Sequence, residues 1–144
     1  MYQVLDTGTV FVHTSFVQSI SESEVLVKSN EMLIDVFYNI ISNAIKFNCN
    51  EDVILDITHS VSEDNKFWKI EFKDNGSGVK DDIKNKIFEQ FEIGNKNMRG
   101  AGLGLAVVSE IVTRSGGQIK VEDRISGKTD EGSNFVVLLP ISKR

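Results

Sequence analysis

Between Leu33 and Ala44 the apolar positions recur every three or four residues. Leu33, Val36, Phe37, Ile40, Ile41 and Ala44 fall on one stripe, which is the period of an amphipathic helix. Ser29 or Asn30 can cap it, and Asp35 lies in its early turns, where a carboxylate meets the positive end of the helix dipole. A polar cluster, Asn48, Asn50, Glu51 and Asp52, ends it. Elsewhere the period is nearer two. Residues 8 to 20 are β-branched and aromatic with loose alternation and predict a strand, with a second short strand at Glu24 to Lys28. Val53 to Thr58 and Phe67 to Phe72 flank a polar turn at 62 to 65 and predict a hairpin. Residues 81 to 91 carry Ile83, Ile87, Phe88 and Phe91 at helical spacing and predict a short amphipathic helix. A third helix runs from Leu103 to about Arg114 and stops at Gly116-Gly117. Strands at Gln118 to Glu122 and Asn134 to Leu139 follow. About three helices and six strands, one layer of each, make an α+β two-layer sandwich.

Composition narrows the class. The chain has 144 residues, the size of one domain, so 1–144 reads as a single domain whose residues 1–30 are leading strands. Apolar residues are 40 % of it, too many for disorder and too interrupted by charge for a membrane span. The net charge of −5 argues against a nucleic-acid binder that works by neutralising phosphates. A single cysteine, Cys49, excludes an internal disulfide framework and a cysteine zinc cage, and suits a reducing, cytoplasmic compartment. The opening MYQVLDTGTV has neither the basic stretch nor the apolar run of a signal peptide.

Three features carry candidate chemistry. Asn39, Asn43 and Lys46 are spaced four and three apart and share a helix face beside the apolar stripe. Asparagine is a mediocre helix former, so two of them aligned with a lysine mark either a site or a solvated face. An amide oxygen is a hard ligand suited to Mg²⁺, and a lysine supplies the positive charge a phosphate needs. Two glycine clusters follow: Asp74-Asn75-Gly76-Ser77-Gly78, and Gly100-Ala101-Gly102-Leu103-Gly104-Leu105 leading straight into a helix. A helix N-terminus with close-approach glycines can bind anions through free N–H groups; ordinary loops are the other reading. The second cluster is not a dinucleotide fingerprint, because position 105 is Leu and no strand precedes it. Gly127-Lys128-Thr129 is not a P-loop, because position 122 is Glu and no apolar helix follows. His13 and His59 read as strand residues, Cys49 as a bystander, and Ser77 lacks a hydrolase elbow.

Together these blocks resemble the catalytic and ATP-binding domain of sensor histidine kinases, in the superfamily of gyrase, Hsp90 and MutL ATPases. The resemblance runs from about Glu31 to Pro140. NIISNAIKF at 39–47 resembles the N box, DNGSG at 74–78 the first glycine box and IFEQF at 87–91 the F box. GAGLGL at 100–105 resembles the second glycine box, and GSNFVVLLP at 132–140 the last block. It implies a mixed, mostly antiparallel sheet covered on one face by the helices. It further implies that Asn43 ligates Mg²⁺, Lys46 meets phosphate and Asp74 accepts a hydrogen bond from the adenine amino group. Phe47 would lie beside the ring, with Gly76 and Gly78 letting the backbone approach it. Val79, Phe88, Phe91 and Ser133 complete the expected nucleotide contacts, along with Asn39 one turn before Asn43. Residues 92–102 would be a mobile lid, and Gly100, Gly102, Leu103, Gly104 and Leu105 would serve the phosphates.

Some positions depart from the pattern. Ile93 stands where many relatives carry an arginine, leaving Lys96 or Arg99 to reach the phosphates. The turn at Ser126 to Glu131 is longer than usual. VHTSF around His13 is not a phosphoacceptor box. The implied function is therefore transfer of the ATP γ-phosphoryl to a histidine on a separate helical-hairpin dimerisation domain, with a response regulator receiver domain downstream. No nucleic acid is expected as a partner, and no membrane contact by this domain itself. An ATP hydrolase, an anti-sigma-type serine kinase and a non-catalytic nucleotide-binding module are the alternatives. The residue four before the magnesium ligand is Asn39, where the hydrolase branch usually has a glutamate, and this favours the kinase.

Overall fold

The computed structural model describes residues 4–5, 8–16, 33–89 and 102–141. They form β1 (Val4–Leu5), β2 (Gly8–Phe16), α1 (Leu33–Lys46), β3 (Asp52–Val61) and β4 (Phe67–Asp74). A 3₁₀ turn (Lys86–Phe88), α2 (Gly102–Arg114), β5 (Gln118–Ile125) and β6 (Lys128–Pro140) follow. The six strands make one sheet in the order β1-β2-β3-β4-β6-β5. β2 and β3 are parallel and every other pair is antiparallel. The α+β sandwich with a mixed, mostly antiparallel sheet is borne out.

Register follows from the period of two. Ile57 lies opposite Phe72, Ile70 opposite Val137, and Phe72 opposite Phe135. Phe135 also meets Val121 on β5. These residues share one face of the sheet. Val36, Ile40 and Ala44 of α1 and Leu105, Val108, Ile111 and Val112 of α2 pack on that face in one core. The stripe read from the sequence is thus the buried side of α1. The α2 stop is a Schellman motif: Gly117 N–H donates to Val112 O at 2.9 Å and Gly116 N–H to Thr113 O at 3.0 Å. Gly116 takes φ +80°, which a side chain would strain.

Two expectations change and one strand is added. Over residues 81–89 the expected helix is a set of turns ending in the 3₁₀ turn, and residues 90 and 91 lie outside the described residues. Ile83 N–H bonds Lys80 O, Lys86 N–H bonds Ile83 O and Glu89 N–H bonds Lys86 O, all three-residue closures. So short a polar segment, with few apolar side chains to bury, cannot sustain a regular α-helix. The long turn at Ser126 to Glu131 is instead a two-residue link, because β5 and β6 pair as far as Ile125 and Lys128. The first strand is found over Gly8–Phe16, with residues 17–20 outside the described residues, and β1 precedes it where no strand was expected. The strand at Glu24 to Lys28 lies outside the described residues.

Candidate functional site

The C-terminal half of α1, the end of β4, the turns after it and the start of α2 surround a cavity of about 280 Å³. Its lining includes Asn43, Phe47, Asp74, Gly76, Gly78, Val79, Leu105 and Ser133, all named from the sequence. Ala44, Ser77, Ile83, Ile87 and Phe135 line it as well. The walls are mostly apolar and the polar groups few, the usual make-up of a small-molecule site.

Asp74 is the last residue of β4 and is buried. Its alternation on the strand, two after Phe72, points it to the helix-covered face. Gly76 N–H donates to Asp74 Oδ1 at 2.8 Å, and the Ser133 hydroxyl donates to Asp74 Oδ2 at 2.7 Å. A buried carboxylate needs such donors, and two of its four lone-pair sites are thereby used. Gly78 lines the cavity at φ +74°, and a Cβ there would stand 1.9 Å from Thr129 O. Only glycine lets the turn close on the β5–β6 hairpin this tightly.

Asn75 ties the cavity's elements together. Its Oδ1 accepts from Asn48 Nδ2 at 2.7 Å and from Ile54 N–H at 2.9 Å. Its Nδ2 donates to Asp52 O at 3.0 Å. The C-terminal end of α1, the start of β3 and the glycine turn are thus held by one amide. The polar cluster at 48–52 was the sequence signal for this hub, although its partner Asn75 was not singled out.

At the other end of the cavity, Asn43 is buried, and its Nδ2 finds no hydrogen-bond partner among the described residues. Asn39, one turn earlier, donates from Nδ2 to Asp35 O at 2.7 Å. Both amides face Gly104 in the first turn of α2. A Cβ on Gly104 would lie 3.1 Å from Asn39 Oδ1 and 3.8 Å from Asn43 Nδ2. Lys46 is exposed, its ammonium 5.5 Å from the centroid of the half-exposed Phe47 ring. Phe88 stands behind the lining rather than in it, edge-on to Phe135 at 6.2 Å. Phe91, Lys96, Arg99 and Gly100 lie outside the described residues. Gly102 and Leu103 are placed as the first residues of α2.

Residues 29–143 match the model of the histidine kinase-, DNA gyrase B- and HSP90-like ATPase family. The sensor histidine kinase AtsR of Burkholderia thailandensis is 32 % identical over 123 residues, 82 % of this chain and 20 % of that protein. The sensor protein RprX of Bacteroides fragilis is 32 % identical over 114 residues, 76 % of this chain and 21 % of that protein. The chain therefore spans about a fifth of the length of these relatives. A mycobacterial sensor histidine kinase, MprB, has the same fold with a TM-score of 0.73 at 20 % identity, over 94 % of this chain and 84 % of that one. Full-length ShkA in complex with AMPPNP gives a TM-score of 0.70 at 26 % identity, over 94 % of this chain and 26 % of that one.

Proposed function

Since the chain belongs to the histidine kinase-, DNA gyrase B- and HSP90-like ATPase family, we propose that it is the ATP-binding catalytic domain of a sensor histidine kinase. It passes the γ-phosphoryl of ATP to a histidine on a separate helical-hairpin dimerisation domain, and a response regulator receiver domain then takes the phosphoryl. The observation that carries this reading is Asp74. A buried carboxylate, fixed by Gly76 and Ser133, lines a mostly apolar cavity of about 280 Å³. A carboxylate there accepts from an exocyclic amine, as adenine offers, whereas guanine presents a carbonyl.

The opposite end of the cavity suits the phosphates. The N-terminus of α2, with Gly102 to Leu105, supplies free backbone N–H groups and the positive end of a dipole. Asn43, buried beside it, would offer its amide oxygen as the one protein ligand of a hard divalent cation, while its unpartnered Nδ2 would donate to a phosphate oxygen. Mg²⁺ held there would neutralise charge on the transferring phosphoryl group. Lys46 adds a mobile positive charge at the mouth, and Asn39 flanks Asn43. Phe91, Lys96, Arg99 and Gly100 belong to the proposed lid region, 92–102, or to its border. The nucleophile is the external imidazole, so this chain's residues position and neutralise. We read 1–144 as one domain working on the cytoplasmic side. No helix among the described residues is long and apolar enough to cross a membrane.

Calorimetry with ATP, ADP and GTP tests the binding half of this reading: ATP and ADP bind, and GTP does not. Incubation with labelled ATP and a histidine-bearing helical hairpin tests the transfer half, which yields an acid-labile phosphoprotein. Equal affinity for ATP and GTP would remove the adenine reading. Absence of label on any histidine partner would favour a nucleotide-binding module.

A further inference from the structure

The wall of the cavity opposite α1 is built from its least regular segment. Lys80 to Glu89 makes only internal backbone bonds among the described residues, from Ile83, Lys86, Ile87 and Glu89 to carbonyls of the same segment. Ile83 and Ile87 line the cavity; Ile87 and Phe88 pack on the core, whereas Ile83 remains 39 % exposed, so apolar burial holds the Ile83 end of this wall weakly.

Lys84, between them, turns the other way and reaches the sheet. Its ammonium bonds Asp123 Oδ1 at 2.5 Å, joining positions 39 apart in sequence. The side chains are only 17 % and 13 % exposed. Asp123 lies two residues after the buried Val121, and hence on the helix-covered face of β5, where pairing with β6 shifts register. A carboxylate in that position requires a counter-charge, and the segment supplies it. Asp81 also meets the ammonium, but it is 77 % exposed and adds little. The two acids, Asp123 first, hold the Lys84 amine above its ordinary range, so it is charged at every working pH.

We propose that Lys84, through Asp123, is a positioning residue that pins the Ile83–Ile87 wall to β5 and thereby sets affinity for the base end of the ligand. The proposal rests on the reading of this cavity as an adenine site, and it adds a determinant lying outside the cavity lining. Neither residue touches the ligand; both act through the isoleucines.

The test compares Lys84→Met, Asp123→Asn, the double neutral variant and the exchange Lys84→Glu/Asp123→Lys. Adenosine and ADP affinities are measured where circular dichroism shows every variant folded. Each neutral single weakens adenosine and ADP by the same factor, about three- to tenfold, because the loss is at the base. The double neutral variant is no worse than the worse single, and the exchange recovers part of the loss. In the nucleotide-free protein, amide exchange over Ile83 to Glu89 accelerates in the singles. Unchanged adenosine affinity in folded variants, or a loss confined to ADP, overturns the proposal and leaves the pair a stabilising contact. If the wild-type chain binds no adenine compound, the adenine reading falls, and amide exchange still decides the clamp: unchanged protection refutes it.

Discussion

The Ser133 hydroxyl donates to Asp74 Oδ2 at 2.7 Å, linking the start of β6's buried stretch to the end of β4. With Gly76 N–H on Oδ1, neither carboxylate oxygen can rotate away from the cavity without breaking a bond. Orientation of a buried acceptor is worth most when its partner ligand presents one donor in one place.

Removal of the carboxylate is the direct check on that acceptor. Asp74→Ala loses a charged, buried hydrogen bond worth about 1.5–3 kcal/mol, and so weakens ADP at least about tenfold. Ser133→Ala keeps the acceptor and frees its orientation, and its loss is smaller, about threefold. Titration calorimetry reads both. An Asp74→Ala protein with wild-type ADP affinity is incompatible with an adenine amino group at this carboxylate.

Backbone closure at Gly78 predicts a stability effect. A methyl group there would sit 1.9 Å from Thr129 O at a φ of +74°. Gly78→Ala must open the glycine turn or displace the β5–β6 hairpin. Its cost should exceed the roughly 1 kcal/mol of left-handed strain alone. Chemical denaturation measures it, and a change under about 0.5 kcal/mol would show that the hairpin yields freely.

Much of this was legible in the sequence because it depends on local period. The α1 stripe, the hairpin at β3–β4 and the glycine stop of α2 are each fixed by a few neighbouring residues, and each is found. The cavity residues Asn43, Asp74, Gly76 and Gly78 are visible as an amide in mid-helix and a glycine-rich turn, whereas Phe47 comes only from the family resemblance. What the sequence hid depends on tertiary distance. Ile83 and Ile87 fit a helical stripe equally well, and only packing shows that they form a cavity wall without an α-helix. The place of the Phe88 ring, edge-on to Phe135, is likewise set by packing. Lys84 and Asp123 are 39 positions apart and carry no local signal.

His59 gives the fold a pH dependence. Burial lowers its pKa below the ordinary value near 6.5. Trp68 Nε1–H donates to His59 Nδ1 at 3.1 Å, which needs the neutral ring. The folded state therefore binds fewer protons at this site than the unfolded chain. The stability it protects is present above about pH 6.5 and is lost as pH falls through the folded pKa. Denaturation followed by the fluorescence of Trp68, the single tryptophan, should show a falling midpoint between about pH 7 and about pH 5. His59→Gln should flatten that fall. An unchanged slope in His59→Gln would assign the effect to other groups.

Asn39 separates phosphoryl transfer from hydrolysis. General-base help to water is typically worth about 10²–10⁴ in rate. Asn39 is an amide without a usable pKa, and its Nδ2 is already committed to Asp35 O at 2.7 Å. Its Oδ1 faces Gly104, where phosphate would lie, so the position can accept a hydrogen bond but cannot take a proton from water. Asp74 is bonded to Gly76 and Ser133 at the base end. The isolated chain should turn ATP over very slowly, and Asn39→Ala should not slow it further. Asn43→Ala should cut transfer to a histidine partner by more than it weakens ADP, because the amide serves the phosphate end and the base is held by Asp74. Phosphate release and partner labelling, measured side by side, decide the matter. Rapid ATP hydrolysis by the isolated chain would place it with the hydrolases, and full transfer by Asn43→Ala would remove that residue from the metal's coordination.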